Sequence, residues 1–128
     1  MDINKKANSN GTRILIVDDE KIERTTLAGI LQARGFDIHM AADGEETVRV
    51  AEVFEPELII MGIDMPRMDG RKACERIRSM KLTSRPTIIM VSSLSDNDVL
   101  ADALRKGADD FVIKPVNDVV LLAKIDAT

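Results

Sequence analysis

Four positions in the sequence combine into a chemistry that none of them signals alone. They are the acid pair Asp18-Asp19, the hydroxyl of Ser92, the ammonium of Lys114 and, where a side chain is missing, Gly62. Each lies at the end of an apolar run. Asp18-Asp19 follows Arg13-Ile14-Leu15-Ile16-Val17, and Gly62 closes Leu58-Ile59-Ile60-Met61. Ser92 follows Thr87-Ile88-Ile89-Met90-Val91, and Lys114 follows Phe111-Val112-Ile113. If those runs are neighbouring strands, their ends bring carboxylates, a hydroxyl and an ammonium to one edge. That set suits a divalent cation and a phosphoryl group. Hard oxygen ligands take Mg²⁺, which keeps some waters and is completed by phosphate oxygens. A hydroxyl and a lysine then hydrogen-bond and neutralise phosphoryl oxygens.

Taken singly, each residue has a plainer role. An acid pair is favoured at a helix N-terminus by the macrodipole. Ser92 serves equally as a turn residue, and Lys114 as a solvated charge. Cys74 on an apolar helix face reads as core. His39 in a short strand is expected to be partly exposed, with no ligand role. Met61, Met65, Met68, Met80 and Met90 read as packing. The signal is the combination and its position.

The elements that would place these residues alternate regularly. Five strands are expected, over 13–17, 38–41, 58–62, 87–91 and 111–113, from β-branched-rich or apolar runs bounded by turn residues. Helices are expected between them. The first runs from Lys21 to Arg34, with Ile22, Leu27, Ile30 and Leu31 inward and Gly35 as its stop. The second opens on a capping box at Asp43-Gly44-Glu45-Glu46 and packs Val48, Ala51 and Phe54. Glu55-Pro56 ends it. The third covers 71–80, with Ala73, Cys74, Ile77 and Met80 on one side. The fourth opens on a second capping box at Ser95 to Asp98 and turns Val99, Ala103 and Leu104 inward, with Gly107 as terminator. The last is capped by Asn117 and buries Val120, Leu121 and Ile125. Strand–helix alternation repeated five times means an α/β sandwich around a parallel sheet. In such sheets ligands bind outside the carboxyl ends of the strands, where the four positions fall.

At 128 residues the chain is one domain with a real core. Its net charge of −4 argues against gripping nucleic acid unaided. With no Trp or Tyr and only three Phe, it offers no stacking platform for bases. Cys74 is the single cysteine, so no internal disulfide forms, and it has no metal-ligand spacing. No apolar run approaches the ~20 residues of a membrane helix. Residues 1–11 read as a polar, disordered leader without a signal core, and the cytoplasm is the expected compartment. Residues 12–128 form the expected domain, and the end at Thr128 is compatible with an excerpt from a longer protein.

Over residues 13–125 the chain resembles the receiver domain of bacterial two-component response regulators, the chemotaxis regulators among them. Three motifs carry the resemblance: Ile14-Leu15-Ile16-Val17-Asp18-Asp19-Glu20, Met65-Pro66-Arg67-Met68-Asp69-Gly70, and Gly107-Ala108-Asp109-Asp110-Phe111-Val112-Ile113-Lys114-Pro115. It implies a flavodoxin-like (βα)5 three-layer sandwich with strand order 2-1-3-4-5. It implies a signal-transduction module of a phosphorelay, not an enzyme, with no organic cofactor and no membrane contact. Its partner would be a sensor histidine kinase or another signalling protein. The face formed by helix 4, strand 5 and helix 5 would serve for homodimers. Residue by residue, Asp18 and Asp19 match the Mg²⁺-binding acids, Asp19 the more direct ligand. The backbone carbonyl of Asp64 matches the third protein contact. Ser92 and Lys114 match the phosphoryl pocket, Phe111 the switch aromatic, and Pro115 the residue after a cis peptide bond.

The departure is at Gly62, which stands where the family has its phosphoacceptor aspartate. Without a carboxylate there is no nucleophile, and the surrounding charges cannot replace it. Asp64 lies two residues on, ~6.6 Å along a strand, far outside the ~2.1 Å contacts of a Mg²⁺ shell. Losing a carboxylate also weakens the expected Mg²⁺ affinity. The expected function is therefore a phosphorylation-independent interaction module. The alternative is an ordinary phosphoacceptor receiver whose Asp at position 62 was mutated or varies. A flavin-binding protein on the same fold is disfavoured, because Asp18-Asp19-Glu20 after the first strand would repel a flavin phosphate.

Overall fold

The structure, a computed structural model, describes residues 11–93 and 95–128. Nearly all of the expected leader lies outside the described residues. Its last member, Gly11, donates its N–H to the Gly35 carbonyl at 3.1 Å.

The elements alternate as β1 (Arg13–Val17), α1 (Lys21–Ala33), β2 (Asp37–Ala41), α2 (Gly44–Phe54), β3 (Leu58–Gly62), α3 (Gly70–Arg78), β4 (Thr87–Ser92), α4 (Asn97–Arg105), β5 (Asp110–Ile113) and α5 (Asp118–Asp126). All strand pairs are parallel, in the order β2-β1-β3-β4-β5. This is the expected flavodoxin-like arrangement.

Alternate residues of each central strand feed two cores, as the two-residue period of a strand requires. Leu15, Ile59, Met61, Ile88 and Met90 point to one face, where Ala51 of α2, Ala73, Cys74 and Ile77 of α3, and Leu100 and Ala103 of α4 cover them. Ile14, Ile16, Ile60, Ile89 and Val91 point to the other, under Ala28 and Leu31 of α1 and Leu121 and Ile125 of α5. Burial on both faces explains the unbroken apolar runs. Each fully buried Ile or Leu contributes roughly 1.5–3 kcal/mol of transfer free energy.

Side-chain caps set where several helices begin. Asp43 accepts from the Glu46 N–H at 2.8 Å, and Glu46 accepts from the Ala42 N–H at 2.7 Å, so the capping box closes one residue further back than the usual form. Asn117 accepts from the Val120 N–H, as expected. The cap of α4 is Asp96, not Ser95: its carboxylate accepts from the N–H groups of Asp98 and Val99.

Three expected core residues are exposed, each for a rotational reason. Ile22 is 80% exposed. It precedes buried Leu31 by nine residues, about two and a half helical turns, which puts the two on opposite sides of α1. Leu104 and Val120 are 43% and 48% exposed. Each sits one residue, about 100° of rotation, from a buried neighbour, Ala103 and Leu121 respectively. In α2 the buried inward residues are Thr47 and Ala51, while Val48 and Phe54 are half-buried. Phe54 stacks on His39 with ring centroids 3.9 Å apart.

Candidate functional site

The sheet register aligns the ends of four strands. Val17 pairs with Met61, Met61 with Met90, and Met90 with Phe111, forming one row across β1, β3, β4 and β5. Asp18 and Gly62 each follow that row by one residue. Ser92, one residue further along β4 than Val91, pairs with Ile113 of β5 and accepts the Lys114 N–H at 2.7 Å through its carbonyl. The order of the sheet thus brings the carboxylate, the glycine, the hydroxyl and the lysine to one edge.

Asp18 is anchored at the turn into α1. Its N–H donates to the Ala41 carbonyl at 3.2 Å, and its carboxylate accepts from the Glu20 N–H at 2.9 Å. The Arg24 guanidinium donates to its carbonyl at 2.6 Å. The Lys114 ammonium lies 2.6 Å from a Glu23 oxygen, 3.5 Å from Asp18 and 3.6 Å from Glu20. Burial raises the Asp18 carboxyl above its ordinary value despite the lysine beside it. The hydrogen bond from Lys114 holds the Glu23 carboxyl below its ordinary value. For Lys114 burial pulls the other way, but the Glu23 and Asp18 contacts prevail and its pKa is raised. The lysine is therefore a firm ammonium.

One carboxylate of Asp18, one of Glu20 and one of Glu23 offer oxygens all within 4.8 Å of one another. Among the described residues this is the group whose oxygens lie close enough together to hold a metal ion, and the Lys114 ammonium lies against all three acids. Its donors are hard oxygens, the kind that binds Mg²⁺. The group includes Asp18 from the expected ligand set and adds Glu20 and Glu23 from the start of α1. Asp19 is exposed and lies outside it, and Asp64 is exposed in the loop after β3. Reading strand ends alone misses Glu23, whose position in the first helical turn reads as a macrodipole-favoured acid. A cavity of about 270 Å³ opens beside the group, between α1 and Lys114-Pro115-Val116, floored by Ile16, Ile60 and Val91.

Gly62 is buried, and its backbone does not need a glycine. Its φ lies outside the left-handed region. A Cβ there would meet Val17 O at 3.7 Å, Met65 Cγ at 3.8 Å and Val91 O at 4.0 Å, all ordinary contacts. The loop that follows is tightly drawn. Arg67 adopts φ +64°, and the Gly70 N–H donates to the Ile63 carbonyl at 2.7 Å. Asp69 caps α3 by accepting from Arg71 and Lys72, and its carboxylate pairs with the Arg71 guanidinium.

Ser92 is buried at the end of β4, 2% exposed. Phe111 is half-buried and packs on the core beneath α3 and α4. The Lys114–Pro115 bond is cis, as the resemblance implied. Among the described residues no helix is long and apolar enough to cross a membrane.

The family model "Response regulator receiver domain" matches residues 14–126, and the chain belongs to that regulatory, non-catalytic family. It is 36% identical over 117 residues to the chemotaxis protein CheY of Bacillus subtilis, covering 91% of this chain and 96% of that protein. It is 37% identical over 125 residues to the probable transcriptional regulator ycf27 of Cyanophora paradoxa, covering 98% of this chain and 48% of that protein. The chain spans about half the length of several curated relatives it matches. Among solved structures it is similar to a two-component response regulator from Clostridium difficile, with TM-score 0.85, 31% identity and coverage of 91% of this chain and 93% of that one. It is also similar to the receiver domain of a Pseudomonas aeruginosa sensor histidine kinase with a magnesium ion coordinated in its active site cleft, with TM-score 0.83, 27% identity and coverage of 91% and 96%.

Proposed function

We propose that this receiver domain signals without carrying a phosphoryl group of its own, as an interaction module in two-component signalling. The observation that carries this reading is Gly62. It ends the central strand at the level of Asp18, where the receiver pattern calls for the acceptor carboxylate. A glycine has no atom to form an acyl phosphate. Neither the contacts of a Cβ nor the backbone conformation demands a glycine there.

In this reading Ser92 and Lys114 remain from the phosphoryl pocket, and Phe111 keeps the switch position. Mg²⁺ would be held by Asp18 with neighbouring carboxylates and the Asp64 carbonyl, more weakly for want of a carboxylate at position 62. Bound there, the ion would supply positive charge to the strand ends. The magnesium coordinated in the Pseudomonas relative supports the assignment of the cleft. Partners are a sensor histidine kinase or another signalling protein. A homodimer through α4, β5 and α5 is supported by the exposed apolar side chains of Leu104, Ile113, Val119 and Val120 on those elements.

The alternative reading, an ordinary receiver altered at position 62, draws on the same ordinary contacts of a Cβ there. Reading codon 62 of the natural gene separates the two. The direct test of the proposal is intact mass after incubation with Mg²⁺ and acetyl phosphate. The unaltered protein gains nothing, and Gly62→Asp reports whether the remaining pocket is competent.

A further inference from the structure

Glu23 belongs to none of the motifs that identify the family, yet it makes the shortest contact of the lysine at the strand ends. Among the described residues, the ionic partners of the Lys114 ammonium are Glu23 at 2.6 Å, Asp18 at 3.5 Å and Glu20 at 3.6 Å. All three belong to the segment from the end of β1 into the first turn of α1. Glu23 and Lys114 are 91 residues apart in sequence, so the contact ties α1 to the connection between β5 and α5. The ammonium is mostly covered, with its side chain 23% exposed, as is Asp18 at 14%, while Glu23 is the more open partner at 46%. A charge that is largely removed from water is held more firmly by a close partner than an exposed one.

We propose that Glu23 is a positioning residue that latches Lys114 onto the α1 side of the pocket, where the ammonium acts as the resident counter-ion of Asp18 and Glu20. The latch has two consequences. The lysine is committed to α1 even when β3 offers no carboxylate, so part of the charge of the acidic edge is balanced without a metal. A carboxylate restored at position 62 would also have to compete with Glu23 for the same ammonium. The second consequence rests on the reading of the strand ends as a phosphoryl pocket; the first does not.

Two measurements test the proposal. The first is the acylation rate of Lys114 by an N-hydroxysuccinimide acetate ester, followed by peptide mass spectrometry in the full chain, with Lys124 as internal reference. Glu23→Gln keeps the shape and removes the charge, and it is expected to raise Lys114 acylation at least threefold relative to the unaltered protein. Glu52→Gln, an equal charge change at an exposed position of α2, is expected to leave it unchanged. Unchanged Lys114 reactivity in Glu23→Gln, or an equal rise in Glu52→Gln, overturns the latch.

The second measurement compares Gly62→Asp with Gly62→Asp/Glu23→Gln for the rate of phosphoryl uptake from acetyl phosphate with Mg²⁺. Uptake is expected to be at least threefold faster in the double variant. Equal or slower uptake there overturns the competition. If Gly62→Asp takes up nothing with or without Glu23, the pocket reading fails, and the acylation result alone decides whether the latch stands.

Discussion

A Cβ on Gly70 would collide with the carbonyl oxygen of Gly62. The last residue of β3 and the first of α3 therefore pass each other at backbone distance, and the loop between them closes only because Gly70 has no side chain. Gly62 itself is under no such constraint. The two glycines should thus respond oppositely to alanine. Gly70→Ala is expected to cost roughly 3 kcal/mol through backbone displacement. Gly62→Ala is expected to be neutral or to stabilise by about 0.5 kcal/mol, because glycine in a strand carries an entropic cost. Urea denaturation of the two variants checks the contrast.

Asp43 joins the start of α2 to the loop after β3. It is buried, caps α2, accepts a hydrogen bond from the Arg67 Nε–H at 2.9 Å and pairs with the same guanidinium. The Glu46 N–H, with Arg67 adding to it, holds its carboxyl below the ordinary value of 3.8. A carboxyl depressed in the folded state stabilises fully above its unfolded pKa and loses that contribution as pH falls through the folded one. Stability should therefore decline on acidification below pH 3.8 in part through this group. Asp43→Asn keeps a capping oxygen but removes the titration, so its acid limb should be shallower. Asp43→Ala should cost about 1–2 kcal/mol at neutral pH. Denaturation midpoints measured from neutral to acid pH check both.

Cys74 sits in the core between α3 and the sheet, where its thiol donates to the Lys106 carbonyl at 3.4 Å. Burial pushes its pKa up to about 11. Since the thiolate is the reactive form, iodoacetamide should leave the native protein unmodified at neutral pH and label it fully in denaturant. Labelling of the native protein at the rate of a free thiol would contradict this placement.

Much of this architecture is legible in the residues themselves. The runs 13–17, 58–62 and 87–91 are apolar on both faces, as strands covered on both sides are, and with the shorter run 111–113 their ends name the edge where Asp18, Ser92 and Lys114 gather. Helix faces are less legible. Ile22, Leu104 and Val120 share the apolar spacing of their helices but lie at the wrong rotation, and side-chain type alone does not report rotation. The start of α4 is ambiguous in sequence because Ser95 and Asp96 are both good caps, and geometry selects the aspartate. Glu23 does not show itself as a site residue in the sequence, for a different reason. Its partner lies 91 residues further along the chain, and only the assembled sheet brings Lys114 to it.

We propose that Gly62 removes phosphoryl chemistry from an otherwise receiver-like edge. Intact mass spectrometry after incubation with Mg²⁺ and acetyl phosphate tests it most directly, with Gly62→Asp run in parallel. No phosphoryl adduct is expected on the unaltered chain, and a stoichiometric adduct is expected on Gly62→Asp. A stoichiometric adduct on the unaltered chain would contradict it.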